Sequence, residues 1–493
     1  MGFEETILEK HNRQGSEVAF HFRLKVCVSN KSIKNTNPIP VNSDSIQLNH
    51  RWLVSRLSPF HFPQTTRDKQ ETKMTPLENN SDGIVNVRRS LDPEFGSGGV
   101  VGNISPGDAN MQIVSLRPDG KILLVSSVHW EGRIDFQLVQ LLESGALDSN
   151  FGQNGILTGG FKDGAEAFPF GAKVYPDGKI LLVGTHYGKM EYLAFARFLE
   201  NGAPDTTFGD NGLVLRPRSI HLENQNRSAT SNSPTNSPSS TLAIGPNGEI
   251  VMASQSSISR FDQNGEPDLS FNGTGNLIVD FAIYAVGVSR NGSITVIGAS
   301  QQGGVIARYK TGGAPDETFG IGGRTEMRVE DASTLFYGLL LRDDGSAFVT
   351  GNLDRDPSDI WGRARRGIIT AFNGNGQPNL VFNGGRPVVT ELPSTAPNAW
   401  WSIGDAPAHG IVVAGLTGEY SKERGLVARY DYTGQPDPTF GNGGFLTTHV
   451  GFGELEWWES VAVQPDHKIL VAGVRHNFQS TGCVARIMAT NQS

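Results

Sequence analysis

The stretch "LDPEFGSGGVV" (91–101) returns, reworded, as "LDSNFGQNGIL" (147–157) and "PDPTFGNGGFL" (436–446). The shared phrase is Asp-x-x-Phe-Gly-x-x-Gly. Its phenylalanine falls at Phe95, Phe151, Phe208, Phe271, Phe319, Phe382 and Phe440, with spacings of 56, 57, 63, 48, 63 and 58 residues. A near-constant period of this size marks a chain of similar supersecondary units, each burying its apolar face against the next.

A second phrase sits once in each interval: "RPDGKILLV" (117–125), "YPDGKILLV" (175–183), "GPNGEIVMA" (245–253), "SRNGSITVI" (289–297), "RDDGSAFVT" (342–350), "APAHGIVVA" (406–414) and "QPDHKILVA" (464–472). A tight turn followed by an apolar, β-branched run is the signal of a hairpin. A third phrase, "FARFLENG" (195–202), "ISRFDQNG" (258–265), "IARYKTGG" (306–313) and "VARYDYTG" (427–434), ends as "VARIMATN" (484–491). Each unit therefore holds four short strands, and seven such units predict an all-β, seven-bladed propeller.

The ends of the repeat are complementary. The last unit stops before its Asp-x-x-Phe-Gly strand, and the first begins with that strand but lacks the Ala-Arg strand before it. The reading is that 91–101 is the outermost strand of a seventh blade whose other strands come from 458–487, so the ring closes and no split-blade edge is left open.

These phrases resemble the delta-60 repeat family, bacterial proteins with tandem units of about this length built on D-x-x-F-G-x-x-G and P-D-G-K-I. The resemblance covers 91–490. Departures are Asn379 in place of Asp, Asn after Phe271 and Phe382, and the absence of an Asp-Gly turn at 406–410. The resemblance implies repeats found on cell-surface or exported proteins, and it implies no catalytic residue.

Composition bounds the rest. The chain has 493 residues, a net charge of −8, 60 glycines and 19% charged residues. That balance, with no basic stripe, speaks against a nucleic-acid partner. Cys27 and Cys483 form no disulfide framework and have no metal-ligand spacing. No secretory signal and no transmembrane segment is present, which leaves a cytoplasmic chain or one exported without the usual signal. Residues 1–90 read as a flexible or partly structured extension, with Met74 a candidate natural start. The propeller is assigned to 91–493, with a flexible Ser/Asn/Pro-rich insert at about 218–240.

Asp92, Asp148, Asp205, Asp268, Asp316 and Asp437 are read as turn caps, since a carboxylate can accept the amides that follow it; the phenylalanines are read as packing between blades. Arg197, Arg260, Arg308, Arg429 and Arg486 suit bonds to turn carbonyls or to those carboxylates. No metal and no cofactor is expected.

Antiparallel alternation sends the Pro-Asp-Gly and Asp-x-x-Phe-Gly turns to one face and the second-to-third loops and blade connections to the other. The first face is expected to be uniform scaffold. The second carries Trp130, Trp361, Trp400, Trp401, Trp457 and Trp458, with His129, His186, Tyr187 and His476. Counted about eight residues before each turn, Met111, Pro169, Phe336, Trp401 and Trp458 are expected around one mouth of the central channel. Aromatic, histidine and acidic residues converging on a concavity suit a non-enzymatic recognition module for a carbohydrate or protein partner. The alternatives are a polysaccharide lyase or glycosidase using His129, His186 or His476 as acid or base, and a scaffold for a larger assembly.

Overall fold

The computed structural model describes residues 90–489 apart from 103, 105–107, 131, 218–240, 357, 359–361, 393, 420, 451–454 and 478. Residues 1–89 of the N-terminal extension and the 218–240 insert lie outside the described residues, as does Trp361.

Twenty-eight strands, β1 to β28 in chain order, form seven four-stranded antiparallel sheets among the described residues. Blade 1 is β2–β5 (108–159), blade 2 β6–β9 (166–217), blade 3 β10–β13 (242–278) and blade 4 β14–β17 (282–327). Blade 5 is β18–β21 (333–389) and blade 6 is β22–β25 (398–448); blade 7 joins β26–β28 (455–487) to β1 (Val100–Gly102). The fold is a seven-bladed propeller. Its closure is the one expected: Val100, Val101 and Gly102 pair with Ala485, Val484 and Cys483.

The repeated phrase explains the outer half of each blade. All seven phenylalanines are at most 2% exposed, and each buried ring contributes ~1.5–3 kcal/mol. One carboxylate oxygen of each Asp accepts the amide two residues on, at 3.0 Å in Asp92, 3.1 Å in Asp205 and 2.9 Å in Asp437. Asn379 makes the same bond to Val381 at 3.0 Å. The other oxygen takes the guanidinium Nε of the third strand at 2.8 Å in four blades: Arg197–Asp205, Arg260–Asp268, Arg429–Asp437 and Arg486–Asp92. That guanidinium then reaches a turn carbonyl of the next blade, Gln263, Thr311, Ala489 or Glu143 respectively. It also lies over the motif phenylalanine, 4.4 Å from the Phe208 centroid and 4.6 Å from that of Phe95. The arginines are struts between blades.

The inner half is shaped by a bulge. In six of the seven inner strands the register slips by one residue, at Gln112, Phe170, Tyr284, Tyr337, Trp401 and Glu459. Opposite the slip the second strand carries Gly184, Gly298, Gly351, Gly415 or Gly473, where a Cβ would overlap an inner-strand carbonyl oxygen. Glycine is needed there because the bulge draws the two backbones together. The residue just before the bulge becomes a knob. Phe336, Trp400, Trp458 and Met111 insert against Gly304, Gly367, Gly425 and Gly482 in the third strand of the preceding blade.

Candidate functional site

Burial divides the tryptophans of the loop face. Trp400 and Trp458 are 0% exposed, and their indole Nε1 atoms donate to Thr390 Oγ1 at 2.9 Å and Thr448 Oγ1 at 2.8 Å of the preceding blade. The expectation that they face a ligand is corrected: they are the knobs that lock blades 5, 6 and 7 together. Met111, Pro169 and Phe336, expected at the channel mouth, are buried at the same level. Counting about eight residues back from the blade 6 turn points to Trp401. Register shows that Trp400, not Trp401, is the equivalent of Phe336 and Trp458.

Trp401, 7% exposed, is instead the bulge residue of its inner strand. Trp401 shares one apolar cluster with Tyr337, Ala399 and Leu416, against which Tyr284, Leu335 and Trp457 pack. Tyr284 and Tyr337 have ring centroids 5.0 Å apart. Four consecutive blades thus supply an aromatic arc. Its last member, the half-buried Trp457, donates from Nε1 to Glu459 Oε1 at 3.1 Å. Burial pushes the Glu459 carboxyl up to about 7, against the lowering effect of the Trp457 hydrogen bond. Trp401 Nε1 and Gln112 Oε1 are buried without hydrogen-bond partners, an arrangement that costs ~1–3 kcal/mol per group unless something supplies the bond.

The remaining loop-face candidates lie outside that cluster. Trp130 and Tyr187, the last residues of β3 (Ile122–Trp130) and β7 (Ile180–Tyr187), are each 39% exposed. His186 is buried against Tyr192, with ring centroids 5.9 Å apart. His476 Nδ1 lies 3.2 Å from Ser480 Oγ, and His129 is half-buried with Nε2 unbonded. None of these three imidazoles lies within 4.0 Å of a described carboxylate; the pair that approaches this limit is His409–Asp437, on the opposite face. Tyr284, Gln112 and Glu459 were not singled out as ring members from sequence. For Tyr284 and Glu459 the signal was the second-strand glycine, Gly298 or Gly473, which fixes where the inner strand must bulge; Gln112 has Ser126 there and carried no such signal.

The turn face is less uniform than expected. A pocket of about 520 Å³ opens in blade 6, lined by Pro407, Ala408, His409, Gly410, Asp431, Tyr432, Asp437 and Thr439. A second, of about 400 Å³, lies between blades 5 and 6, lined by 340–344 and Asp405. Between them Tyr432 donates to Asp405 at 2.6 Å, and Arg342 lies 4.9 Å from the Tyr432 ring centroid. No group of three or more His, Cys, Asp or Glu side chains suited to a metal ion occurs among the described residues. No helix among them is long and apolar enough to cross a membrane.

Comparison with known proteins adds the following. No curated protein matches the chain. Among solved structures, the chain is similar to one in the "Crystal Structure of Mitotic Checkpoint Complex", at 9% identity and a TM-score of 0.42, covering 86% of this chain and 98% of that one. It is also similar to prolyl oligopeptidase B from Galerina marginata, at 12% identity and a TM-score of 0.42, covering 78% of this chain and 49% of that one. The PQQ-bound aldose sugar dehydrogenase from Streptomyces coelicolor is similar at 13% identity and a TM-score of 0.33, with 78% and 98% covered. The family described as "Domain of unknown function (DUF5122) beta-propeller" matches residues 117–151 and 176–208, each span running from a Pro-Asp-Gly turn to a motif phenylalanine, so these two spans are similar to a β-propeller repeat family.

Proposed function

We propose that the protein is a non-enzymatic recognition module whose ligand is a neutral carbohydrate, bound where the loop face meets the central channel. The observation that carries this reading is the arc of Tyr284, Tyr337, Trp401 and Trp457, ending in the indole–carboxyl pair of Trp457 and Glu459. Aromatic faces stack on the C–H surface of a sugar, and hydroxyl groups both donate and accept, which suits the unpartnered Trp401 indole N–H. Trp130, Tyr187 and His186 are the outer contacts of the same reading. The repeats are further assigned to the delta-60 class on their two phrases.

The test is a glycan array probed with the full chain, repeated with Trp457→Ala. A neutral oligosaccharide bound at least tenfold more weakly by the variant supports the reading. No glycan bound, or equal binding by a folded variant, overturns it. A protein captured through Trp457 would keep the surface and change the ligand class.

A further inference from the structure

The turn face repeats one small ionic device, and blade 6 lacks part of it. In blades 1, 2 and 7 the residue after the Pro-Asp-Gly-type turn is a lysine whose ammonium sits against the motif carboxylate. Lys121 lies 3.2 Å from Asp148, Lys179 3.3 Å from Asp205 and Lys468 3.1 Å from Asp92. Blades 3, 4 and 5 carry Glu249, Ser293 and Ser346 at that position, each bonded within its own turn. Blade 6 carries Gly410, which has no side chain to offer and lines the 520 Å³ pocket together with Asp437.

We propose that this pocket binds a primary alkylammonium group, which takes the place of the missing lysine against Asp437. Four features of the pocket fit that ligand. First, the carboxylate is built for two cations: Asp92 and Asp205 each hold an arginine at 2.8 Å as well as their lysine, whereas Asp437 holds Arg429 alone at that distance. Second, the His409 imidazole stands 4.0 Å from Asp437, farther than the lysine ammoniums of blades 1, 2 and 7, and burial and then Arg429 hold its pKa below the ordinary value although Asp437 opposes them. Third, Asp431 adds a second carboxylate to the wall, and it is held ionised because the Thr433 and Gln435 bonds outweigh its burial. Fourth, Tyr432, Pro407 and Ala408 give the alkyl stem an apolar lining.

The ligand chemistry is shared by a lysine side chain on a partner polypeptide and by a free polyamine. Both are probed by titrating the full chain calorimetrically with N-acetyl-lysine methylamide, with cadaverine, and with the Nε-acetylated lysine analogue as control. Saturable binding of either amine at about millimolar concentration, weakened by 0.5 M salt and absent for the acetylated analogue, is the expected result. Tighter binding of the lysine derivative points to a partner chain, and tighter binding of cadaverine to a polyamine. His409→Lys supplies an internal ammonium in the pocket and is expected to weaken binding at least tenfold, while His409→Ala leaves it within about twofold. Absence of saturable binding, binding of the acetylated analogue, or indifference to His409→Lys in a folded variant overturns the proposal. Gly410→Lys is a poor alternative because Gly410 has φ +111° and a Cβ there would overlap the Tyr430 carbonyl.

Discussion

Blades 5 and 7 use the same phrase and hold themselves together differently. In blade 7 the motif carboxylate of Asp92 meets both Arg486 and Lys468, although Asp92 and Arg486 are 394 residues apart. In blade 5 Asn379 replaces the carboxylate and Ala371 stands where the strut arginine would be, so both charges are lost together and neither is left buried alone. Its outer turn even exposes Leu380 and Val381, at 75% and 70%. Strands that are neighbours in sequence need little beyond packing to find each other. A blade made from the two ends of the repeat must offset the loss of chain entropy on closure, and a desolvated ion triad with one correct geometry also fixes which strand completes it.

This contrast can be broken in several ways. The largest effect is expected from removing residues 91–101, which strips β28 of its partner. Cooperative unfolding should be lost, with dye binding to exposed apolar surface, and a truncation that melts like the intact chain would refute the closure. Next, Asp92→Ala leaves Arg486 buried and unpaired and should cost ~3–5 kcal/mol, whereas Asn379→Ala removes one turn bond and should cost ~0.5–1.5 kcal/mol. Urea midpoints decide this, and equal costs would mean the ions do not distinguish the blades. Phe95→Ala and Phe382→Ala should each cost ~3–5 kcal/mol, because the rings are 0% and 1% exposed and the apolar half of the motif is common to both blades.

Acid should separate the blades as well. Burial alone would raise the Asp92 carboxyl, but the Glu94 amide, Lys468 and Arg486 outweigh it and hold the pKa below the usual range. A depressed carboxylate stabilises the fold fully above its unfolded value of ~3.9, and that stability is lost as pH falls through the lower folded value. Stability should therefore decline from about pH 4 downward, less steeply in Asp92→Asn, whereas Asn379→Ala should leave the acid slope of the parent. The smallest effect concerns the bulge, where blade 7 has Glu459 and blade 5 has Tyr337. With its folded pKa raised to about 7, Glu459 lowers stability progressively as pH rises from ~4.3 to about 7. Glu459→Gln should match the parent near pH 4 and melt ~1–3 °C higher at pH 8; a variant that melts lower at pH 8 would show that the carboxylate is welcome there.

The architecture was legible because Phe95 to Phe440 and the turn phrases sit at nearly fixed positions in each unit, and because the fragments at 91–101 and 484–487 fit one another. The site was legible only in part. Trp400 and Trp401 are adjacent letters, yet one is a knob against Gly367 of the preceding blade and the other a bulge residue in a cluster with Tyr337. Alternation alone would put them on opposite faces, but it does not say which is which when the strand slips by one residue. The blade 6 pocket was visible as "APAHG" breaking a pattern. It was read as a missing turn, because its meaning lies in a lysine that three other blades place against their own aspartates, a relation that spans two turns far apart in sequence.

The closing strand also has a consequence in time. β1 leaves the ribosome early and its partner β28 late, and at ~5–20 residues per second the 394 residues from Asp92 to Arg486 separate them by ~20–80 s. For that interval β1 is a waiting strand with nothing to pair, while six blades can stack behind it. A strand of only three residues, Val100–Gly102, preceded by a glycine-rich turn, offers little edge for another chain to capture. The brevity that makes β1 a weak strand makes it a safe one to leave open until the last blade arrives.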